Sequence, residues 1–141
     1  MKAEITHHYK PFEIERGKIK TFAKVLGLKN SIYYCQEEAQ RKGYHDVVAP
    51  PTFPTVIEYS NDRDLYQLFD TLQLRPEEVL HGEQSYDYFE DICAGDIITS
   101  TLTVERVEEK RSMTFYYLKT VYLNQFNELT VISRSTLIKM P

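Results

Sequence analysis

Residues 15 to 26, ERGKIKTFAKVL, place Ile19, Phe22, Ala23 and Leu26 at i, i+3, i+4 and i+7. That spacing lays one apolar stripe along a helix and predicts an amphipathic one. Gly27 stands where a C-terminal cap is needed. A second, short helix is predicted over CQEEAQRKG, from Cys35 to Gly43. Glu37 and Glu38 fall near its N-terminal end, and Arg41 and Lys42 near its C-terminal end, as the helix dipole favours. Three prolines, Pro50, Pro51 and Pro54, punctuate VVAPPTFPTVIEYS. Proline is tolerated in the first turn of a helix, where its missing N–H costs nothing. A third helix is therefore expected to enter near Thr52 and run toward Tyr59. DRDLYQLFDTL predicts a fourth, with Asp62 near its start and Leu65, Leu68, Phe69 and Leu72 on one stripe.

From about residue 78 the period changes to two. VLHGEQSYDYF reads as the first strand, and AGD (Ala94 to Asp96) as the turn after it. ITSTLTVERVEE alternates through Leu102 and Val104, and EEKRS forms a charged loop. In MTFYYLKTVYLN, residues Met113, Phe115, Tyr117, Val121 and Leu123 share a face interrupted by Lys119. LTVISRSTLIKM, after a loop containing Asn127, is rich in β-branched residues. Short turns between strands imply antiparallel pairing. The expected class is α+β, a single antiparallel sheet with helices segregated to one face.

Composition narrows the reading. A chain of 141 residues with 42% hydrophobic content suits one domain, taken as 1–141, with its own core. Seventeen basic against 21 acidic residues leave a net charge of −4, with no basic block to recruit nucleic acid. Cys35 and Cys93 follow no metal or redox spacing. No apolar run approaches the roughly 18 residues of a membrane span, and MKAEITHHYK has no signal-like apolar region, so a soluble, cytoplasmic protein is expected. Tyrosine is abundant, at 11 residues with no tryptophan. Such amphipathic rings suit partly wet interfaces and tunnels, or simply line a sheet face.

Candidate chemistry centres on LHGEQ. Strand residues two apart face the same side, so His81 and Glu83 are expected side by side. A carboxylate there would orient the imidazole as an acid–base pair; the same pair would also serve as an edge salt bridge or an interface contact. His-x-Glu, even joined in space by His45-Asp46, is a thin metal signal, and no metal site is expected. Cys35 at a helix start has the position of a nucleophile, or of a small buried residue. G-x-S-x-G and G-x-G-x-x-G are both absent. In APPTF a helix N-terminus would offer N–H groups to polarise a thioester carbonyl. Pro50 and Pro51 cannot donate, so Thr52 and Phe53 would have to; the alternative is a plain proline-initiated helix under the sheet.

Taken in order, GKIKTFAKVLG, NSIYY, VVAPPTFP, VLHGEQSYDYF and AGD resemble the N-terminal MaoC-like dehydratase domain over nearly the whole chain. These are hot-dog proteins related to R-specific enoyl hydratases and 3-hydroxyacyl dehydratases. The resemblance implies a single hot-dog domain, a curved antiparallel sheet wrapped around a central α-helix, usually dimeric and without a cofactor. It implies ligands that are acyl thioesters of coenzyme A or acyl carrier protein, with no membrane partner. Active relatives carry Gly-Asp, any residue, Asn-Pro, any residue, His. The matching stretch here is GLKNSIY. Gly27 and Asn30 match, Leu28 replaces the Asp, Ser31 the Pro and Tyr33 the His.

Hydration of an enoyl thioester needs an acid and a base at the double bond. Leucine moves no proton, and a tyrosine hydroxyl is a poor base at neutral pH. The resemblance therefore implies a substrate-binding subunit of an enoyl hydratase or 3-hydroxyacyl dehydratase. Tyr33, Thr52 and Phe53 would line its tunnel, and a dyad-bearing hot-dog partner would complete a heterodimer. The alternatives are a homodimer that binds acyl thioesters without lyase chemistry, and an enzyme that uses His81 and Glu83 in place of the dyad.

Overall fold

The first predicted stripe forms except at Leu26, and two of the helices end in the same way. A computed structural model describes residues 5–60 and 64–141. The first helix, α1 (Arg16–Val25), buries Ile19 and Ala23, with Phe22 packed against the core. It stops in a Schellman motif: the Gly27 amide donates to the Lys24 carbonyl and the Leu28 amide to the Ala23 carbonyl, both at 3.0 Å. This needs the φ of +73° that Gly27 adopts, and it turns Leu26 out to solvent, away from its place on the predicted stripe. The same device ends α2 (Gln36–Arg41), where Gly43 and Tyr44 donate to Gln40 and Ala39. Two further helices follow, α3 (Phe53–Ser60) and α4 (Asp64–Leu72). Phe53, Pro54 and Ile57 are buried on α3, and Leu68 and Leu72 on α4. Asp62 and the side chain of Leu65 lie outside the described residues.

The chain opens with two strands that the residue pattern leaves unmarked, β1 (Ile5–His8) and β2 (Phe12–Glu13), because segments this short carry no measurable period. Four long strands follow α4: β3 (Val79–Tyr88), β4 (Ile97–Lys110), β5 (Met113–Leu123) and β6 (Leu129–Lys139). All pairings are antiparallel. The β4–β5 hairpin turns on Arg111 and Ser112, whose φ angles of 53° and 67° suit a two-residue loop that matches the strand twist.

The α+β class holds, but the sheet does not wrap around a central helix. Its strand order is β1-β4-β5-β6-β3, with β2 also on β4, so it is open and ends on β1 and β3. At eight residues α3 is about 12 Å long. Strand β4, with 14 residues, extends over about 46 Å. One short helix cannot cover strands of this length, and the covering is shared. One core cluster gathers Phe53 and Ile57 of α3 with Ile19, Ile98, Tyr122 and Val131. A second gathers Leu68 and Leu72 of α4 with Leu102, Val104, Leu118 and Leu137.

The strand β5 meets the core with the face opposite to its most apolar one. Leu118, Thr120 and Tyr122 are buried, whereas Met113, Phe115, Tyr117, Val121 and Leu123 stay half-exposed on the outer side. Two of those outer rings are covered by cations, Arg106 at 4.1 Å from the Tyr117 centroid and Lys110 at 5.7 Å from that of Phe115.

Candidate functional site

Three loops meet at the start of α3 and are tied together by their backbones. After the α1 cap, the Asn30 side chain accepts from the Ile32 amide at 3.2 Å and starts a 3-10 turn at Ser31–Tyr33. The Tyr34 hydroxyl donates back to the Leu28 carbonyl at 2.5 Å. The Val48 amide donates to Ile32 (3.0 Å), Ala49 to Ile92 (2.8 Å) and Ala94 to Val47 (2.9 Å). Beneath them Arg16 forks onto buried Asp46 at 2.8–3.1 Å, and Asp46 also accepts from the Val47 amide at 2.7 Å. The guanidinium holds the Asp46 carboxyl below the usual carboxylate range.

This junction lines an open-mouthed pocket of about 310 Å³. Its floor is the buried set Val48, Pro50, Pro54, Ile92 and Val131. Tyr33, Ile32, Tyr44 and Ala49 form a wall, and exposed Pro51, Tyr88, Phe89, Glu90 and Asp91 form the rim. The Tyr88 hydroxyl donates to the Pro51 carbonyl at 2.8 Å, fastening the rim to the start of α3. An apolar floor with a few polar groups at the mouth is the usual make-up of a small-molecule site.

The residues singled out in the sequence divide around this pocket. Tyr33 lines it. Leu28 lies on the same loop but outside the lining. Thr52 is exposed and Phe53 wholly buried, and neither is part of the wall. The Phe53 amide already donates to the Pro50 carbonyl at 2.9 Å, which occupies one of the two donors that the helix start was expected to offer. Tyr44 and Ile92 complete the site without having been marked by any motif, and Tyr88 lies within VLHGEQSYDYF without having been singled out. They converge through the bridge between Val48 and Cys93, a contact across 45 residues that has no local signal.

His81 and Glu83 lie elsewhere and do not face each other. The β3–β6 register shifts between them: His81 pairs with Leu137, Glu83 with Thr136. Cross-strand partners share a face and neighbours along a strand do not, so this bulge sends the two side chains to opposite sides of the sheet. Gly82 permits it, since a Cβ there would stand 2.9 Å from the Ile138 side chain. Among the described residues no hydrogen bond or ion pair joins His81 to Glu83.

The other candidates have structural partners. His45 meets Asp96 at 3.1 Å, and Asp46 is held by Arg16. Among the described residues no group of three or more His, Cys, Asp or Glu is placed to hold a metal ion. Cys35 caps α2 in the open, and buried Cys93 has its thiol pushed up to about 11, by burial and then by Asp96.

A polar seam between α3 and the sheet carries no sequence signal at all. Glu58 of α3 accepts from the Thr120 hydroxyl at 2.7 Å, and burial pushes its pKa up. The Thr55 and Tyr86 hydroxyls share a short hydrogen bond. The buried Tyr122 hydroxyl lies near Ser133 and Glu58 yet completes a well-formed hydrogen bond with neither.

Residues 3–132 match the family described as FAS1-like, dehydratase domain region. The chain belongs to this family. A UPF0336 protein of Clavibacter michiganensis subsp. michiganensis is 37% identical over 97 residues, which is 69% of this chain and 64% of that relative. The match thus spans less than two thirds of the relative's length. The HadBC (3R-hydroxyacyl-ACP dehydratase) complex of Mycobacterium tuberculosis, in C-terminally truncated form, superposes with a TM-score of 0.84 at 20% identity, over 96% of this chain and 95% of that chain. A MaoC-like dehydratase superposes at 0.81 and 19% identity, over 95% of this chain and 41% of the other. FAS1-like membership and these superpositions place the chain in the MaoC-like, hot-dog dehydratase superfamily, with the open sheet described above. No described helix is long and apolar enough to cross a membrane.

Proposed function

We propose that this chain is the acyl-thioester-binding subunit of a hydro-lyase, working beside a partner that carries the acid–base dyad. The observation behind this reading is the pocket at the start of α3. Tyr33 stands in its wall at the position of the family's His, and Leu28 precedes it at the position of the Asp. A wall of tyrosines and prolines can hold an acyl thioester, but its own loop supplies no base for removing a proton from carbon. The reaction would be hydration of an enoyl thioester, or its reverse, with coenzyme A or acyl carrier protein as carrier. The HadBC dehydratase of similar fold is itself a complex, which makes a two-subunit arrangement natural for this chain.

Titration calorimetry with butanoyl-pantetheine tests the binding part. The wild-type protein should bind it, and Tyr33→Ala should weaken binding by about tenfold, roughly 1.4 kcal/mol for the loss of one packed aromatic wall. Binding unchanged by Tyr33→Ala would remove the pocket from the account. The alternative is a homodimer that binds the same ligands without lyase chemistry; it gains if no dyad-bearing partner confers turnover.

A further inference from the structure

The pocket and the polar seam are consecutive steps along three elements. Pro54 lines the pocket, and Glu58 follows it by four residues, one turn along the same face of α3. Val131 lines the pocket, and Ser133 is the next residue of β6 on that face. Tyr88 stands at the rim, and Tyr86 comes before it on the same face of β3. Tyr86, Ser133 and Thr120 are register partners in one row across β3, β6 and β5. Glu58 and Thr55 reach down to that row through Thr120 and Tyr86. Helix and sheet are thus hydrogen-bonded to each other directly behind the pocket.

Resting on the acyl-thioester reading, we propose that the Thr55–Tyr86 and Glu58–Thr120 hydrogen bonds close the pocket behind Pro54 and make it a blind site, selective for short acyl groups. A hydrocarbon tail that passes Pro54 must part at least one of these bonds. It then leaves a buried hydroxyl or carboxyl without a partner. Burying one more methylene gains less than stranding such a group costs, so binding falls once the chain reaches the seam. The pocket's 310 Å³ lies at the small end of the range for ligand sites, as a short acyl group requires. Thr55, Glu58 and Tyr86 are specificity-determining residues here, acting through the length of chain they admit.

The test is a series of butanoyl-, hexanoyl-, octanoyl- and dodecanoyl-pantetheine titrated against the full chain. Butanoyl should bind best, with affinity at least about tenfold weaker by octanoyl. Glu58→Ala and, separately, Tyr86→Leu should narrow that gap to about threefold or less. Glu58→Gln keeps an acceptor for Thr120 and should retain the cutoff; circular dichroism of each variant confirms that it folds. A wild-type protein that binds octanoyl as tightly as butanoyl overturns the proposal and leaves the acyl-thioester reading standing. So does a cutoff that stays in place in both folded opening variants. Failure of every thioester to bind overturns the acyl-thioester reading itself, and this inference with it.

Discussion

His81 and Glu83 show how much one glycine can change. On strict alternation they form a pair, but the bulge at Gly82 separates them across the sheet. A carboxylate on the far face cannot orient the imidazole, so Glu83→Gln should leave the activity of a reconstituted complex within about twofold of wild type, under 0.5 kcal/mol in the barrier. A loss of several hundredfold in a steady-state assay would restore the pair to the chemistry. Tyr33 falls in a motif with a fixed spacing, GLKNSIY, held by the Schellman cap and the Asn30 turn, and it lines the pocket, whereas Leu28 of the same motif lies outside the lining. Glu58 was not legible. It lies in FPTVIEYS as one polar residue on a short helix, and only the folded sheet brings Thr120 and Tyr86 to that side of it.

At the level of elements, the helices were readable because each stripe has to be buried, and the four long strands because period two persists over ten or more residues. What the pattern could not supply was which face of β5 turns inward. Its outer face is the more apolar in sequence, and cations on β4 shield it, while the inner face carries Thr120 and Tyr122 to meet α3. The start of α3 was foreseen from its prolines. Phe53 anchors it, wholly buried and edge-on to Phe22 with centroids 5.7 Å apart. Truncating such a ring leaves a cavity beside the pocket floor. Phe53→Ala should therefore cost about 3–5 kcal/mol in urea unfolding and weaken butanoyl-pantetheine binding as well. A cost below about 1 kcal/mol would mean that α3 is not held by this contact.

Across the whole molecule, two carboxyl groups give stability opposite slopes with pH. Asp46, held low by Arg16, contributes stability that is present above its unfolded pKa and lost as pH falls through the depressed value. Glu58 is raised by burial, its neighbours being Thr120, Tyr122 and His81, with Tyr59 and Tyr86 close by. The folded state then binds its proton more tightly than the unfolded state does. Stability falls as pH rises from the ordinary carboxylate pKa to the raised one and stays lower above it. Glu58→Gln should remove that decline, so that urea midpoints of variant and wild type converge at low pH and separate at neutral pH with the variant higher. Parallel curves would place the Glu58 carboxyl in water.

The proposed binding role rests on the pocket at the start of α3 and on Leu28 and Tyr33 in the GLKNSIY stretch. The direct test is hydration of a crotonyl thioester, followed by mass spectrometry, with the chain alone and with a dyad-bearing hot-dog partner obtained by co-purification. Turnover that requires both chains is the predicted result; hydration by this chain alone as fast as by any mixture would contradict the account.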